Sequence, residues 1–473
     1  MKEILIHLAY ILASVLFIYG LKLLSKVRTA RNGNTLAAIG MLLAIVVTVI
    51  QVEILDVAWL LAGLVLGGLL GAVTARIVKM TAMPQMVAIF NGFGGGASTL
   101  VALSYIFARE GTIGSGTMSQ GFGGDTGVSI LLSILIGGVT FSGSMIAFAK
   151  LQELMTGQPI LFKGQNATNA VIALGTVALA VWAGFLAAGS GNVELAAVLL
   201  TAASLILGVI LVIPIGGADM PVVISLLNSY SGLAACATGF VLQNSLLIIS
   251  GSLVGASGII LTNIMCKAMN RSIANVLFGG FGAVQTTGGK KTEYVNVTSA
   301  DPEEAAMIMD TAELVIIIPG YGLAVAQAQH TCKELGDLLE KNGTRVLYAI
   351  HPVAGRMPGH MNVLLAEAQV PYEKLIEMDQ INPEFKNADV ALIVGANDVV
   401  NPAALDDPQS PIAGMPILNA HEARSVMIIK RSLASGFAGI KNPLFEYNNT
   451  MMLFGDAKGM LQRIKEEVAE LRK

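Results

Sequence analysis

Charged residues are scarce in this chain, making up only 13% of its 473 residues. The three cysteines are too few and too scattered for a disulfide framework. No spaced cluster of histidine and cysteine indicates a metal site, and no Gly-x-x-x-x-Gly-Lys-Ser/Thr sequence indicates an ATP-driven pump. What is present instead is apolar sequence: the mean hydropathy is +0.69, which is typical of a membrane protein.

The few charges are unevenly distributed along the chain. Residues 1–266 contain 18 of the 61 charged residues, and the remaining 207 residues contain 43. We therefore expect a transmembrane domain over 1–266, a glycine-rich linker over 267–305 and a soluble domain over 306–473. The net charge of −3 gives no reason to expect a nucleic-acid partner.

Nine stretches of the first part are predicted to cross a bilayer, which takes about 20 apolar residues. They are 4–24, 34–51, 57–78, 84–108, 127–148, 168–188, 194–214, 220–238 and 242–266. Basic residues mark alternate loops and the end of the last span: Lys26, Arg28, Arg31, Arg76, Lys79, Lys150, Lys163, Lys267 and Arg271. The positive-inside rule then predicts a multi-pass protein of an inner or plasma membrane, with its N-terminus outside and its C-terminal domain in the cytoplasm.

Polar side chains lie within these apolar spans. Asn91, Ser144 and Asn228 fall inside the fourth, fifth and eighth spans, and Asp219 comes just before the eighth. Polar groups at membrane depth often mark an ion or proton path, although hydrogen bonds between helices explain them as well. Both interpretations stay open from the sequence.

The soluble part alternates between strand-like and helix-like segments. The predicted strands are 314–318, 345–350, 389–394, 416–418, 425–429 and 451–454, and the predicted helices include 322–341 and 457–472. This alternation predicts a doubly wound parallel sheet of about six strands, a Rossmann-like α/β domain following the helical membrane bundle.

A glycine turn directly follows the first of these strands. The apolar run 315–319 leads into Gly320, Tyr321 and Gly322, and a small-residue helix start reaches Val325. Glycines in such a turn let backbone N–H groups approach a pyrophosphate, so the turn predicts a nucleotide site.

Two further turns point to a phosphorylated nucleotide. No acidic residue follows the second strand, where His351 begins a turn, and this absence disfavours NAD. Lys430, Arg431 and Ser432 suit a phosphate monoester at the end of another strand, or they form an ordinary solvated turn. Gly395, Ala396, Asn397 and Asp398 end a strand too, and Asp398 either orients a ligand or caps its own turn.

Several long segments resemble the β subunit of the proton-translocating NAD(P)⁺ transhydrogenases along essentially the whole chain. The matching segments are Gly216–Pro221, Leu227–Gly232, Ile264–Ser272, Pro319–Gln329, Val353–Pro358, Gly395–Val399, Gly414–Met415, Lys430–Phe437 and Asp456–Ala457. The family resemblance implies a C-terminal domain that binds NADP(H) in a reversed orientation. It also implies α subunits that carry an NAD(H) domain and further membrane helices, in an assembly that is a dimer overall.

The resemblance also implies which residues contact NADP(H). They are Tyr321, Val353, Ala354, Gly355, Arg356, Met357, Pro358, Gly395, Ala396, Asn397, Asp398, Val399, Gly414, Met415, Lys430, Arg431, Ser432, Leu433, Ala434, Ser435, Gly436, Phe437, Asp456 and Ala457. Asn91 stands where many relatives have a histidine of the proton pathway, so a simple imidazole relay is in doubt there. Asp219, Lys267 and Arg271 are expected to couple the path to the nucleotide domain.

Taken together, these features predict the membrane subunit of a proton pump that passes hydride from NADH on a partner to NADP⁺ bound here. No side chain is assigned a catalytic or metal-binding role, because the nicotinamide itself carries the hydride. The alternative is a channel or transporter gated by a nucleotide-sensing Rossmann domain, although the chain has no Thr-Val-Gly-Tyr-Gly selectivity loop.

Overall fold

The protein is described by a computed structural model that covers residues 2–24, 27–51, 57–78, 82–113, 124–156, 159–188, 193–217, 219–270, 272–277, 294–357, 359–410, 412–436 and 438–471. The chain forms two compact units. The first comprises Met1–Ile215 and Val223–Leu261, and the second comprises Gly216–Val222 and Thr262–Lys473.

Nine long helices, α1 to α9, occupy the first 268 residues. They are Lys2–Leu24, Val27–Gln51, Val57–Ile77, Met83–Ile113, Gly124–Leu151, Gln165–Ala188, Val193–Val212, Met220–Val241 and Ser245–Ala268. Within the described ranges, nine helices are long and apolar enough to cross a membrane, which confirms the prediction of nine spans. The chain is therefore a membrane-spanning protein.

Small residues let several of these helices approach one another closely. A methyl group added to Gly95 of α4 would lie 2.7 Å from the carbonyl oxygen of Gly137 on α5. In the same way, a methyl group on Gly251 of α9 would lie 2.5 Å from the backbone nitrogen of Cys236 on α8. Backbones packed this closely are the usual basis of helix association in lipid.

The described residues of the second unit form eight shorter helices and six strands. Helices α10 to α17 are Ile273–Leu277, Pro302–Asp310, Tyr321–Val325, Gln329–Lys341, His360–Glu367, Met378–Ile381, Ala403–Asp406 and Ala457–Glu470. Strands β1 to β6 are Leu314–Pro319, Arg345–Ile350, Leu375–Glu377, Val390–Val394, Ser425–Lys430 and Thr450–Phe454.

All six strands are parallel and lie in the order β3-β2-β1-β4-β5-β6, as in dinucleotide-binding folds. Strand β1 is central, with Val315 beside Val346 of β2 on one side and Val390 of β4 on the other. Its side chains alternate between two cores, because Ile317 enters the core under α13 and α17 while Ile316 enters the core around Phe385. Burial on both faces explains why β1 is an unbroken apolar run, and the predicted Rossmann-like class is confirmed.

One predicted strand, 416–418, is wrong, although the total of six strands holds. The carbonyl of Pro416 bonds His351 and that of Ile417 accepts from Asn382 Nδ2 at 2.9 Å, so neither enters a sheet ladder. The sixth strand is instead β3, whose three residues are too short to give a periodic signal.

The predicted helix 322–341 is also wrong as a single element. It breaks between α12 and α13 at Gln327, whose φ of +50° lies in the left-handed region. The amide of Ala328 closes the break by donating to the carbonyl of Leu323.

Residues before the first strand of the sheet extend its far edge. The amide of Met452 in β6 donates to Thr298, and the amide of Ala300 donates back to the carbonyl of Met452. Helix α11 follows at once, beginning at Pro302. The folded part of the second unit therefore includes residues that precede 306.

Candidate functional site

The carboxyl ends of three neighbouring strands, β1, β4 and β5, are tied together by backbone hydrogen bonds. The amide of Gly320, after β1, donates to Val394 of β4 at 2.9 Å, and the amide of Gly322 donates to Gly395 at 2.9 Å. The amide of Gly395 in turn donates to Ile429 of β5 at 3.2 Å. Strands β1 and β4 mark the point where the strand order reverses, which is where folds of this kind bind ligands.

Glycine is required where the loops after β1 and β4 meet. Gly395 has a φ of +68°, and a methyl group on it would lie 2.4 Å from the Cα of Gly322. The amides of Gly320 and Gly322 already bond protein carbonyls. These two amides therefore join β1 to β4, and the pyrophosphate contact predicted for the turn stays a prediction.

The loop after β2 brings a cation over an aromatic ring. The guanidinium carbon of Arg356 lies 4.4 Å from the centre of the Tyr321 ring, a cation–π geometry. The backbone amide of Arg356 donates to Nδ1 of His360 at 2.9 Å, which leaves the imidazole proton on Nε2. Burial, with the nearby Arg356 charge, lowers the pKa of His360 to about 4, so the ring is neutral. Its buried Nε2 has no hydrogen-bond partner among the described residues.

His351 joins the loop after β2 to the segment that follows Met415. Its Nε2 bonds the carbonyl of Pro416 at 2.8 Å, and its Nδ1 accepts from the amide of Val353 at 3.3 Å. Burial lowers the pKa of His351 to about 4. A neutral ring with both nitrogens engaged acts as a clamp between loops, which accords with its prediction as a turn residue.

Lys430 ends β5 with its ammonium folded back over its own loop. The Nζ atom donates to the carbonyl of Ala434 and lies 4.9 Å from the centre of the Phe445 ring. Burial lowers the pKa of Lys430 to about 8, and the charge of Asp398 opposes that shift. Asp398 accepts from the amide of Ala438 at 3.0 Å, while Arg431 and Ser432 are exposed. A carboxylate, a half-buried ammonium and an exposed guanidinium thus lie at one edge of the sheet.

Two further predicted contact regions have defined local roles. Asp456 caps α17, because its carboxylate accepts from the amides of Lys458 and Gly459 at 3.1 and 3.3 Å. Gly414 is exposed beside Asn270, whose Nδ2 donates to the carbonyl of Ala413 at 2.6 Å within the second unit. The remaining predicted contacts lie in these loops or in the helices that follow them: Val325, Ala354, Gly355, Met357, Ala396, Asn397, Val399, Met415, Leu433, Ser435, Gly436 and Ala457. Pro358 and Phe437 lie outside the described residues.

The predicted polar residues of the spans lie on neighbouring helices. Asn91 of α4 donates from Nδ2 to the carbonyl of Ile224 on α8 at 3.1 Å, one helical turn before the half-buried Asn228. On α5, Ser144 packs beside Gly92, the residue after Asn91, and its hydroxyl is buried with no partner in the described part of the chain. Three helices thus contribute polar atoms to one region of the first unit.

The predicted coupling residues are only partly described. Asp219 lies in the segment before α8, where its amide donates to Gly216 and its carbonyl accepts from Val222. Lys267 is exposed in the last turn of α9, and Arg271 lies outside the described residues.

Sequence reasoning missed one notable side chain. Lys150 was assigned to a loop, but it belongs to the last turn of α5 and is buried. Its hydrogen bonds run to Ile213 and Ile215, more than 60 residues away. Nothing in the local sequence distinguishes such a lysine from the basic residues expected at cytoplasmic loops.

Comparison with known proteins agrees with this architecture. The family model described as "NAD(P) transhydrogenase beta subunit" matches residues 6–467. Two curated proteins, from Rhodospirillum rubrum and from a named strain of that species, both carry the name "NAD(P) transhydrogenase subunit beta". Each is 52% identical to this chain over 459 residues, which is 96% of this chain and 97% of the relative. Three findings agree: the described apolar helices long enough to cross a membrane, the parallel sheet, and the match along nearly the whole chain. The chain therefore belongs to the NAD(P) transhydrogenase beta subunit family, whose members are membrane subunits of an oxidoreductase that also requires alpha subunits.

Proposed function

We propose that the C-terminal sheet of this chain binds NADP(H), while a partner alpha subunit binds NAD(H). Hydride would pass from NADH to NADP⁺ as protons move inward through the helices. The observation that carries this proposal is the set of backbone bonds from Gly320 to Val394 and from Gly395 to Ile429, which holds the loops after β1, β4 and β5 together. Lys430 and Asp398 lie on two of these loops.

The side chains at this edge fit a nucleotide with an extra phosphate. Lys430, Arg431 and Ser432 offer an ammonium, a guanidinium and a hydroxyl, the groups that hold a phosphate monoester. No carboxylate follows β2 to bind a free ribose hydroxyl, because His351 and Pro352 occupy that turn. Gly320 and Gly322 are proposed to approach the nucleotide closely, because they have no side chains and their turn is held against β4.

The residues of this chain would bind and orient the nucleotide, and the nicotinamide would supply the hydride chemistry. Arg356 over the Tyr321 ring offers a flat cationic surface for a phosphate or a base. The loops with Gly414–Met415 and Asp456–Ala457 complete the proposed set of contacts. Pro358 and Phe437 are proposed as well, on the resemblance alone.

The proposed proton route runs between α4, α5 and α8. An amide has no accessible pKa near neutrality, so Asn91 and Asn228 would hold waters rather than carry a charge. The buried, unpartnered hydroxyl of Ser144 favours such waters, since buried water needs polar partners. Asp219, with Lys267 and Arg271, would link this route to the nucleotide domain.

The membrane supplies the driving force in this proposal. Each charge that crosses about 100 mV releases about 2.3 kcal/mol, which shifts a product ratio about 50-fold. The C-terminal domain would face the cytoplasm and the N-terminus the outside, as the basic residues at alternate span ends predict. The whole assembly is proposed to be a dimer of alpha and beta subunits.

Equilibrium binding to the full chain in detergent tests the nucleotide assignment. We expect NADPH to bind at least tenfold more tightly than NADH, because each charge-assisted contact contributes roughly 1.5–3 kcal/mol. Lys430→Met should remove much of that preference and leave NADH affinity unchanged. Lys386→Met is the matched control, since Lys386 is exposed just before β4 at the opposite edge of the sheet. Equal affinity for the two nucleotides in the unsubstituted chain would overturn the assignment.

Proton uptake by vesicles that contain the whole assembly tests the coupling. Asn228→Leu should abolish proton uptake and slow NADH-to-NADP⁺ transfer at least tenfold, with NADPH affinity within twofold of normal. Ser257→Leu is the control, because Ser257 is an exposed span serine that bonds its own helix at Val254. Normal pumping by the Asn228 variant would assign that residue to helix packing.

A further inference from the structure

One buried lysine has no role in the route described above. Lys150 is only 3% exposed, although it stands in the last turn of a membrane span. The basic residues in the last turns of α1, α3 and α9, which are Lys22, Arg76 and Lys267, are all exposed. Because an ammonium group is costly to remove from water, its burial needs specific partners.

Those partners are backbone carbonyls at the end of another span. Lys150 Nζ donates to the carbonyl oxygens of Ile213 and Ile215, the latter at 2.8 Å. Helix α7 ends at Val212, so the ammonium bonds carbonyls just beyond its C-terminus, where the helix dipole favours a cation. The contact therefore ties the end of α5 to the end of α7.

The chain changes units directly after this contact. Ile215 is the last residue before Gly216–Val222, which belongs to the second compact unit, and Asp219 lies in that segment. Helix α8 with Asn228 begins immediately afterwards, at Met220. On the other side of the contact, α5 carries Ser144 less than two turns before Lys150. The residues that Lys150 holds are thus followed directly in the chain by the segment that carries Asp219.

We propose that Lys150 is a positioning residue for coupling, and this inference rests on the function proposed above. Lys150 holds Ile213 and Ile215 against α5, the helix that carries Ser144. A change that reaches the end of α7 along the chain from Gly216–Asp219 is then transmitted to the proton route, and a change in the route is transmitted back. Without the ammonium, the end of α7 moves independently of α5, and fewer protons cross the membrane for each hydride transferred.

The test is the ratio of protons taken up to hydride transferred, measured in vesicles that contain the complete assembly. A purely structural role would lower the amount of active protein, which reduces both rates together and leaves their ratio unchanged. We expect Lys150→Met to lower the ratio at least threefold while NADPH affinity stays within twofold of normal. Lys150→Arg should restore at least half of the ratio, because it keeps the charge and can reach both carbonyls. The matched control is Lys163→Met, since Lys163 is an exposed lysine just before α6.

Two results would overturn the inference. One is a normal ratio in Lys150→Met, and the other is absence from the membrane of both Lys150→Met and Lys150→Gln, which would assign Lys150 to folding alone. Faster hydrogen exchange of the amides at 213–217 in the Met variant would support the inference. A failure of the proposed function itself would look different, because the unsubstituted assembly would then show no proton uptake during hydride transfer.

Discussion

The helical unit and the sheet unit satisfy their buried polar groups in opposite ways. In the helices, most buried hydroxyls bond a carbonyl of their own helix one turn earlier, as Thr99 does with Gly95 and Thr176 with Ile172. In the sheet unit, buried polar side chains reach distant loops, as His351 reaches Pro416. Local bonds leave a helix free to shift as a body, whereas distant bonds fix one loop against another.

Several polar side chains of the helical unit instead bond a different helix or helix end. Among them are Asn91, which bonds Ile224, Lys150, which bonds Ile213 and Ile215, and Ser229, which bonds Gly255. Asn91 and Lys150 are the two for which roles in proton transfer and coupling are proposed above. The contrast suggests where to look for function in such a bundle: at polar groups whose partners lie far along the chain.

The largest expected effect comes from breaking a long-range contact of the sheet unit. In Gly395→Ala, the new methyl group would lie 2.4 Å from the Cα of Gly322, so the loops after β1 and β4 must separate. We expect NADPH affinity to fall at least 100-fold, measured by calorimetry on the solubilised chain. Gly343→Ala is the control, because Gly343 also has a positive φ, +96°, but has nothing within 4 Å among the described residues. It should cost only about 1 kcal/mol of stability. Equal effects of the two substitutions would assign the loss to backbone strain rather than to loop contact.

A smaller loss of NADPH affinity is expected when the pH is raised, because Lys430 lies at the same edge of the sheet and loses its proton. The pKa of Lys430 is lowered to about 8, so its ammonium is charged below pH 8 and loses its proton above that value. A bound phosphate favours the charged form and raises the pKa. NADPH affinity should therefore be constant below pH 8 and fall up to tenfold per pH unit above it.

Two comparisons isolate Lys430 in that measurement. Lys430→Arg should remove the decline, because a guanidinium stays charged throughout this range. NADH, which lacks the extra phosphate, should bind with no such decline. Constant NADPH affinity from pH 7 to 9.5 in the unsubstituted chain would mean that Lys430 does not face the phosphate.

The smallest effects are expected from removing single hydrogen bonds inside the helical unit, one between two helices and one within a helix. Ser229 of α8 donates to the carbonyl of Gly255 on α9 at 2.5 Å, and Ser229→Ala should lower stability by about 0.6–1.7 kcal/mol. Thr176→Val removes only a bond to the same helix and keeps the shape of the side chain, so it should cost less than about 0.5 kcal/mol. Thermal unfolding in detergent measures both substitutions. A larger loss from the threonine variant would contradict the distinction between local and distant bonds.

The same distinction explains how much of the fold could be predicted from the sequence. Hydropathy located all nine spans, because an apolar run is a local property. Unbroken apolar runs likewise predicted β1 and β4, because both strands are buried on both faces. The strand predicted at 416–418 failed because its carbonyls bond His351 and Asn382, which lie 65 and 35 residues away.

The candidate site shows the same limit. The glycines after β1 were recognisable, but nothing local indicated that their amides would bond Val394 and Gly395. The buried state of Lys150 was equally hidden, since its acceptors are backbone atoms of a distant helix end. The chemical groups of the side chains can be predicted from a sequence. Which backbone donors and acceptors bond one another is known only from the folded structure.

The two margins of the parallel sheet have a further consequence. On one side β3 is only three residues long, and on the other the segment with Thr298 and Ala300 covers part of β6. Among the described residues, neither side offers a long row of unpaired backbone groups to a neighbouring molecule. Proteins anchored in a bilayer meet one another at high local concentration, with little freedom to diffuse apart. Blunted margins therefore protect this sheet from edge-to-edge aggregation where crowding is most severe.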